Sequence, residues 1–294
     1  GDVYKRQIAI SVNGGCGKTM LRSMITASNT MFELQKQIDN ISHNLANTDT
    51  TGYKAKNTSF SELIRQQIEQ VNEKKNEVAA SRKTPPGLRL GVGAVMTDRL
   101  THKQGSLKET GRDLDIALTS PYQYFQVNVD GEVQYTRDGA FYLTPAAGNA
   151  NQMQLVTKEG HAVLDENGNP IRFNQRYKHI KVDDSGSVTV SSDNQGEAPL
   201  RFNLGIVRAV KPQALTEEGS NLFSVSDELR ATALINLNGA GRQDISLKQG
   251  FLESSNVDVS KEMTDLISSQ RSYQMNSRAI TMGDQMMGLI NSVR

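Results

Sequence analysis

Two long heptad patterns, one near each end of the chain, most constrain what this sequence can fold into. Near the N-terminus, apolar side chains recur in alternating steps of three and four residues. That spacing marks the a and d positions of a coiled coil. The members of this pattern are Met24, Ala27, Met31, Leu34, Ile38, Ile41 and Leu45. The spacing therefore predicts a long N-terminal helix with one narrow apolar seam.

The C-terminal pattern has the same period. Its members recur every seven residues and are Leu252, Val259, Leu266, Tyr273, Ile280 and Met287. Further apolar residues widen this seam, namely Met263, Ile267, Met275, Met282, Met286 and Ile290. Ser254, Ser255 and Asn256 are N-cap residue types, and Ser255 with Asp258 has the spacing of a capping box. The second helix is therefore expected to begin directly after these residues.

Two seams of similar length at opposite ends predict that the terminal helices pack together as an antiparallel coiled coil. The spacing alone leaves open a pair of core helices in an ordinary domain. Methionine favours the first interpretation, because its flexible side chain fits irregular contacts with several different neighbours. Turn residues follow the first seam: Asn47 is a predicted C-terminal cap, and Gly52 suits a turn with positive φ.

The residues between the helices predict a β domain. Residues 125–136 alternate around Asp130-Gly131, which is a strong short-range hairpin signal. Further turns, such as residues 165–170, separate short strands in the way expected of an antiparallel sandwich or barrel. Residues 55–87 are polar and end at Pro85-Pro86-Gly87, which indicates an extension or linker. The predicted fold class is α+β, with N- and C-terminal heptad helices and a central, mostly antiparallel β domain.

The expected division of the chain follows from these patterns. It comprises an extraneous or disordered leader at 1–19, an N-terminal helix at 20–54, a polar linker at 55–87, a β domain at 88–247 and a C-terminal helix at 248–294. The leader ends in Gly17-Lys18-Thr19, which invites a phosphate-loop interpretation and an NTPase alternative that would use Lys18 and Thr19. The phosphate-loop pattern requires glycine five residues before Gly17, where Val12 stands.

Composition and motif searches argue against an enzyme. Lys and Arg total 33 against 32 Asp and Glu, so the net charge of +1 does not favour nucleic-acid binding through bulk charge. One cysteine, Cys16, and four histidines in separate segments give no metal-ligand spacing. The loop that begins at Asp165 departs from a calcium loop at Pro170. We therefore expect no catalytic, cofactor or metal site, and no apolar run reaches the ~18 residues of a membrane span.

Several motifs resemble those of the flagellar basal-body rod and hook family. Residues 44–54 (NLANTDTTGYK) resemble the motif that closes its N-terminal helix. Residues 250–259 (GFLESSNVDV) and 270–280 (QRSYQMNSRAI) resemble its C-terminal signature, and 135–141 (YTRDGAF) its β domain. The polar segment before Pro85 resembles the distal-rod branch of the family. One departure is Thr119–Phe125, where the family has a Gly-x-Gly-Phe-Phe turn, so a different local turn is expected.

This resemblance implies a structural axial subunit of the bacterial flagellar basal body, exported by the flagellar type III apparatus without a cleaved signal peptide and acting in cell motility. The implied partners are copies of itself, other rod and hook subunits and the export apparatus, with no nucleic acid and no stable membrane insertion. The alternatives are another rod or hook-type axial protein and a surface binding module on a helical stalk. The residues expected at the assembly interface are Met24, Met31, Leu34, Ile38, Ile41, Leu45, Asn47, Gly52, Tyr53, Leu252, Asn256, Val259, Leu266, Tyr273, Ile280 and Met287.

Overall fold

The computed structural model describes residues 2–66, 88–146, 149–192 and 198–292. It confirms the predicted α+β class. The chain divides into two compact units. The first, called here the helical unit, contains residues 1–43, 57–99 and 260–294. The second, the sheet unit, contains residues 44–56 and 100–259. The predicted break at Thr84–Gly87 lies outside the described residues.

Three α-helices are present in the described ranges: α1 (Asp2–Ala46), α2 (Asp227–Ala233) and α3 (Val259–Ser292). Two short 3-10 helices span Pro212–Ala214 and Gly239–Asp244. Helix α1 ends directly before Asn47, as the predicted cap requires. It begins at Asp2, so residues 13–19 lie inside a helix instead of the strand–loop–helix arrangement that a phosphate loop needs.

Nineteen strands make up the rest of the regular structure in those ranges. They are β1 (Lys56–Gln66), β2 (Leu88–Leu100), β3 (Leu107–Glu109), β4 (Ile116–Leu118), β5 (Gln123–Val129), β6 (Glu132–Thr136), β7 (Tyr142–Ala146), β8 (Asn149–Val156), β9 (Ala162–Val163), β10 (Arg172–Asn174), β11 (Tyr177–Val182), β12 (Ser187–Ser192), β13 (Leu200–Asn203), β14 (Ile206–Ala209), β15 (Thr216–Gly219), β16 (Leu222–Ser224), β17 (Leu234–Asn236), β18 (Leu247–Gln249) and β19 (Phe251–Glu253). Strand β1 falls in the segment expected to be a linker.

One large sheet organises the sheet unit. Its strand order is β10-β8-β9-β5-β6-β16-β15, with β14 joining β5 to β17 and β7 beside β8. These neighbours pair in antiparallel fashion, which confirms the prediction of a mostly antiparallel β domain. A three-stranded sheet, β11-β12-β13, and the pairs β4–β18 and β3–β19 complete the unit. The last two pairs connect the C-terminal part of the domain to its first strands.

The hairpin predicted around Asp130-Gly131 is confirmed. Strands β5 and β6 pair antiparallel, and Asp130 and Gly131 both have positive φ, 52° and 94°. Two positive φ values give the turn a twist that matches the twist of the strands. Phe125, on β5, is fully buried in the main core cluster and lies edge-to-face against Phe141 at 5.1 Å between ring centroids. The hairpin therefore contributes directly to the centre of the domain.

The C-terminal helix begins later than the capping pattern predicted. Helix α3 begins at Val259, and Leu252 lies in strand β19 instead of the helix. The reason is tertiary, because the Asn256 side chain binds backbone groups elsewhere in the unit: it accepts from the Ala55 N–H and donates to the carbonyls of Thr101 and Lys103. The expectation that α3 begins directly after Asn256 is wrong.

In the turn at Thr119–Phe125, Tyr122 has a backbone conformation that glycine adopts more readily. Tyr122 has φ of 61°, in the left-handed region that β-carbon-bearing residues disfavour by about 1–2 kcal/mol. Its ring lies 6.2 Å from that of His102, centroid to centroid. This turn therefore contains a residue in the left-handed region that is not a glycine.

Candidate functional site

The inner face of α1 is the predicted N-terminal seam. Ala27, Leu34 and Ile41 are buried, at 5–7% exposure, and recur every seven residues. The alternate members of the seam are half-buried, namely Met24, Met31, Ile38 and Leu45. Ile25 and Phe32 lie outside the seam and are 55% and 61% exposed. Residues at heptad spacing therefore define one covered stripe on this helix, as a coiled-coil helix would have.

The stripe that α3 covers is shifted by a few positions from the one the sequence emphasised. Its predicted heptad residues are half-buried, namely Val259, Leu266, Tyr273, Ile280 and Met287. Its most buried residues are polar or small: Glu262, Ser269 and Gly283. These three share a heptad register, and Asn276, between Ser269 and Gly283, is half-buried in the same register. The covered face of α3 is therefore centred on polar and small residues.

Gly283 marks a close approach of the two long helices within the helical unit. A β-carbon added there would lie 3.0 Å from Cγ and 3.1 Å from Sδ of Met24. Contacts this short are tighter than most side chains tolerate, so the helices approach here because residue 283 has no side chain. Met24 is 22 residues before the end of α1, and Gly283 is 24 residues after the beginning of α3.

Part of the exposed surface of α3 is apolar. Met275, Met282 and Leu289 recur every seven residues and are 71%, 56% and 66% exposed. Met286 is 45% exposed and lies three residues before Leu289, so these side chains form a second a/d pattern, called here the outer stripe. The outer stripe consists of Met275, Met282, Met286 and Leu289. Contiguous exposed apolar surface of this kind marks interaction sites in soluble proteins.

A second feature lies in the sheet unit, where the segment after α1 meets the segment before α3. Residues 44–56 bind one another. The Asn44 carboxamide accepts from the Tyr53 hydroxyl and the Lys56 N–H, and it donates to the Lys56 carbonyl. Gly52 has φ of 69°, as predicted, and its N–H donates to the Glu253 carbonyl at 2.8 Å. A β-carbon at Gly52 would lie 2.7 Å from the Asp138 nitrogen. Residues 44–56 therefore form a compact turn that packs against strand β19 and the residues around Asp138.

Glu253 is the centre of a buried ionic cluster in this region. Its Oε1 accepts from Lys54 Nζ at 2.6 Å and from the Gly105 N–H at 2.8 Å, and its Oε2 accepts from Arg137 Nε at 2.6 Å. The three charged side chains are 1–2% exposed. We call Lys54, Arg137 and Glu253 the ionic cluster. Arg137 also donates to the carbonyls of Leu118 and Gln123, and Lys54 to that of Lys103.

The electrostatics of the cluster follow from its composition of two cations and one carboxylate. Burial by itself raises the pKa of Glu253, but the charges and hydrogen bonds of Arg137 and Lys54 outweigh burial and hold that pKa below its usual range. Burial, with the nearby Arg137 charge, lowers the pKa of Lys54 although Glu253 opposes the shift. Glu253 is therefore held ionised, while burial disfavours the charged form of Lys54.

Neighbouring polar contacts extend this region. Thr51 donates through its hydroxyl to Asp138 Oδ1 at 2.8 Å, and Asn221 donates to the Thr51 carbonyl at 2.7 Å. Burial raises the pKa of Asp138, and hydrogen bonds from Thr51 and Ala140 only partly offset the shift. Each of these contacts joins residues 44–56 to the sheet. The arrangement is suited to fixing a chain segment in place.

Chemistry of other kinds has little support among the described residues. No group of three or more His, Cys, Asp or Glu side chains there is arranged to hold a metal. A polar cleft of ≈ 550 Å³ opens beside α2, with Tyr135, Glu166, Asp227 and Arg230 among its lining residues. Arg230 pairs with Asp227 at 3.3 Å, and Glu166 contacts Asn203 and Arg242. None of the described helices is long and apolar enough to cross a bilayer.

The structure separates the residues expected at the assembly interface into two groups. The helical unit holds Met24, Met31, Leu34, Ile38, Ile41, Leu266, Tyr273, Ile280 and Met287. The sheet unit holds Leu45, Asn47, Gly52, Tyr53, Leu252, Asn256 and Val259. Sequence reasoning missed the ionic cluster, although Lys54, Arg137 and Glu253 each lie inside one of the quoted motifs. A charged residue embedded in an otherwise apolar or glycine-rich motif is the signal that could have found them.

Comparison with protein families gives three matches along this chain. Residues 24–54 match the model described as "Flagella basal body rod protein". Residues 122–190 match "Flagellar hook protein FlgE/F/G D1 domain", and residues 248–293 match "Flagellar basal body rod FlgEFG protein C-terminal". The first and last of these regions contain the two long heptad patterns, and the second lies in the sheet unit.

Curated relatives match over nearly the whole chain. The flagellar hook-basal body complex protein FlhP of Bacillus subtilis is 63% identical over 275 residues, which are 94% of this chain and 100% of FlhP. The flagellar basal-body rod protein FlgG of Bacillus subtilis is 31% identical, over 91% of this chain and 97% of FlgG. The FlgG of Agrobacterium fabrum is 33% identical, over 92% of this chain and 98% of that protein.

Proposed function

This chain belongs to the flagellar basal-body rod and hook protein family, and from that premise we propose that it is a structural axial subunit of the bacterial flagellar rod. It assembles with copies of itself and with other rod and hook subunits into a helical tube that transmits torque and conducts exported subunits. It reaches that position through the flagellar export apparatus. Its role is mechanical and needs no cofactor.

The observation that carries this proposal is the orientation of α3. Its covered face is centred on Glu262, Ser269 and Gly283, whereas Met275 and Met282 on the outer stripe face solvent. A helix in a finished globular domain leaves few large apolar side chains exposed to this extent. The outer stripe therefore supports a state in which further subunits cover this helix.

The gain from covering that stripe is large enough to drive assembly. Complete burial of one Met or Leu side chain contributes about 1.5–3 kcal/mol. Each subunit added to a polymer can cover such side chains on its neighbour as well as its own. When the contact joins different faces of identical subunits through a rotation that does not close, the product is a helical filament instead of a ring.

Within each subunit we propose that α1 and α3 pair as an antiparallel coiled coil. The contact between Met24 and Gly283 supports this pairing, as do the nearly equal distances along the chain from that contact to the end of α1 and to the beginning of α3. Heptad steps from it place Met31 opposite Asn276, and Ile38 opposite Ser269. Polar residues at such positions favour one register over others.

The proposal is tested by placing a charge on the outer stripe. Met282→Glu introduces a carboxylate of similar length on a side chain that is 56% exposed, so the subunit itself should fold normally. Gln270→Glu adds the same charge at an exposed polar position of the same helix. Polymerisation of the purified protein is followed by sedimentation and electron microscopy.

We expect Met282→Glu to raise the protein concentration needed for polymerisation by about tenfold or more, because a charge in a buried apolar contact costs over 1 kcal/mol. Gln270→Glu should polymerise as the unaltered chain does. Normal tubes from Met282→Glu, with the variant folded by circular dichroism, would argue against the outer stripe as the assembly surface.

A further inference from the structure

The ionic cluster joins three segments that are far apart in the sequence. Lys54 comes from the segment that follows α1, Arg137 from the end of the β5–β6 hairpin, and Glu253 from strand β19. The contact between Lys54 and Glu253 spans 199 residues. Such a contact forms only when nearly the whole chain is available.

The three members are not equally dependent on one another. Arg137 is held by the sheet unit through the Leu118 and Gln123 carbonyls, which lie on or beside strands β4 and β5. Glu253 is held by Arg137 and by the Gly105 N–H. Besides its contact with Glu253, Lys54 Nζ donates to the Lys103 carbonyl.

Glu253 changes the electrostatic interaction of Lys54 with this site from repulsive to attractive. With Glu253 in place, the Lys54 ammonium enters a site that contains one positive and one negative charge. Without that carboxylate, Lys54 would be buried beside the Arg137 guanidinium alone, and like charges in a desolvated site repel strongly. Two more hydrogen bonds join the N-terminal segment to the C-terminal one. The Gly52 N–H donates to the Glu253 carbonyl, and the Ala55 N–H donates to the Asn256 side chain.

We infer that Glu253 is a positioning residue that makes ordering of residues 50–56 conditional on prior docking of residues 250–256. The C-terminal segment completes the surface on which the N-terminal segment docks, and the N-terminal segment is not needed to hold the C-terminal one. Because a chain is synthesised from its N-terminus, this segment stays open until the C-terminal signature has been made. The inference concerns folding of the single subunit and stands apart from its assembly.

The test measures amide hydrogen exchange in the full-length chain with Glu253→Gln, which keeps the shape of the side chain and removes its charge. The amides of Gly52 and Ala55 report on the N-terminal segment. The amides of strand β5 report on the sheet. We expect residues 50–56 to exchange about a hundredfold faster, since breaking a buried ion pair leaves uncompensated charge, while β5 changes by less than about threefold.

Glu109→Gln is the matched control, because Glu109 is exposed on β3, the strand that pairs with β19. It should leave exchange at residues 50–56 unchanged. Unchanged exchange at these residues in Glu253→Gln would overturn the inference. A second variant, Lys54→Met added to Glu253→Gln, removes one of the two unbalanced cations and should restore at least about tenfold of the lost protection. No recovery would mean that charge is not the cause.

Lys54→Met alone tests the direction of the dependence even if Glu253→Gln fails to fold. Arg137 and Gly105 still hold Glu253 in this variant, so the segment at 250–256 should keep its protection. The amides of Gly250 and Ser254, which donate to the Asp115 and Ser106 carbonyls, report on it. If Lys54→Met releases residues 250–256 as strongly as residues 50–56, the proposed order is wrong.

Discussion

The helical unit and the sheet unit bury their side chains in opposite ways. In the sheet unit the main core cluster contains Phe125, Val127, Phe141, Val163 and Leu204, which are all 0% exposed. Among the described side chains of the helical unit, the most buried apolar ones are spaced singly along α1, and large apolar residues of α3 face solvent. The sheet unit thus has a closed core, and the helical unit has a covered seam with an open apolar face.

This difference indicates what each unit needs in order to be stable. A closed core supplies its own burial, so the sheet unit has what an independent domain requires. Long helices with a narrow covered seam gain most of their stability from packing with other elements. The comparison predicts that the sheet unit is stable by itself and that the helical unit depends more on its packing partners.

The largest expected effect comes from opening the core of the sheet unit. Phe125→Ala should lower the free energy of unfolding by about 3–5 kcal/mol, because it removes a fully buried ring and leaves a cavity beside Phe141. Urea unfolding monitored by circular dichroism measures the change. Tyr142→Ala, at a ring that is 39% exposed and contacts Arg112, should cost less than about 1 kcal/mol. Equal losses in both variants would contradict a closed core at Phe125.

A smaller effect is expected along the seam of α1. Leu34→Ala should cost about 2 kcal/mol, at the low end for a buried leucine, because a narrow seam can close over the gap more easily than a sheet core. Faster hydrogen exchange of the α1 amides would report the loss. Phe32→Ala, at a ring that is 61% exposed, is the control and should leave those amides nearly unchanged. A matching effect at Phe32 would show that the covered stripe is misplaced.

The smallest effect concerns pH and the buried polar groups of the sheet unit. Burial raises the pKa of Asp138, so the stability that its neutral form contributes is complete at acid pH and is lost as pH rises through the folded-state pKa. Asp138→Asn stays neutral and can still accept from Thr51 and Ala140. It should therefore raise the free energy of unfolding by about 1 kcal/mol or less at pH 7.

That gain should disappear near pH 3, where the native carboxyl is protonated as well. Urea midpoints of both proteins at the two pH values measure the difference. A gain that is the same at pH 7 and pH 3 would mean that charge at residue 138 is not its source.

The helical unit offers a contrast in its ion pairs. The side chain of Lys36 in the Lys36–Glu33 pair is half exposed, so this pair contributes little to stability.

Some features were predictable because they depend on residues that are close in sequence. The turn at Asp130-Gly131 was recognisable because two adjacent residues tolerate positive φ between alternating strands. The seam of α1 was recognisable because heptad spacing needs no knowledge of the partner. Other features were not predictable from local pattern. Asn256 has the character of an N-cap, but its side chain binds Ala55 and Thr101, so α3 begins at Val259.

The class of fold, the two long helices, the hairpin and the family are evident from the sequence, because periodicity, turn chemistry and motif order are properties of neighbouring residues. Which face of α3 is covered depends on packing with distant parts of the chain, since a helix with apolar residues on several faces does not specify its partner. Only the tertiary structure also placed Lys54, Arg137 and Glu253 in one buried cluster. A buried charge is tolerated only where opposite charges meet it, and their meeting is set by the packing of the whole chain.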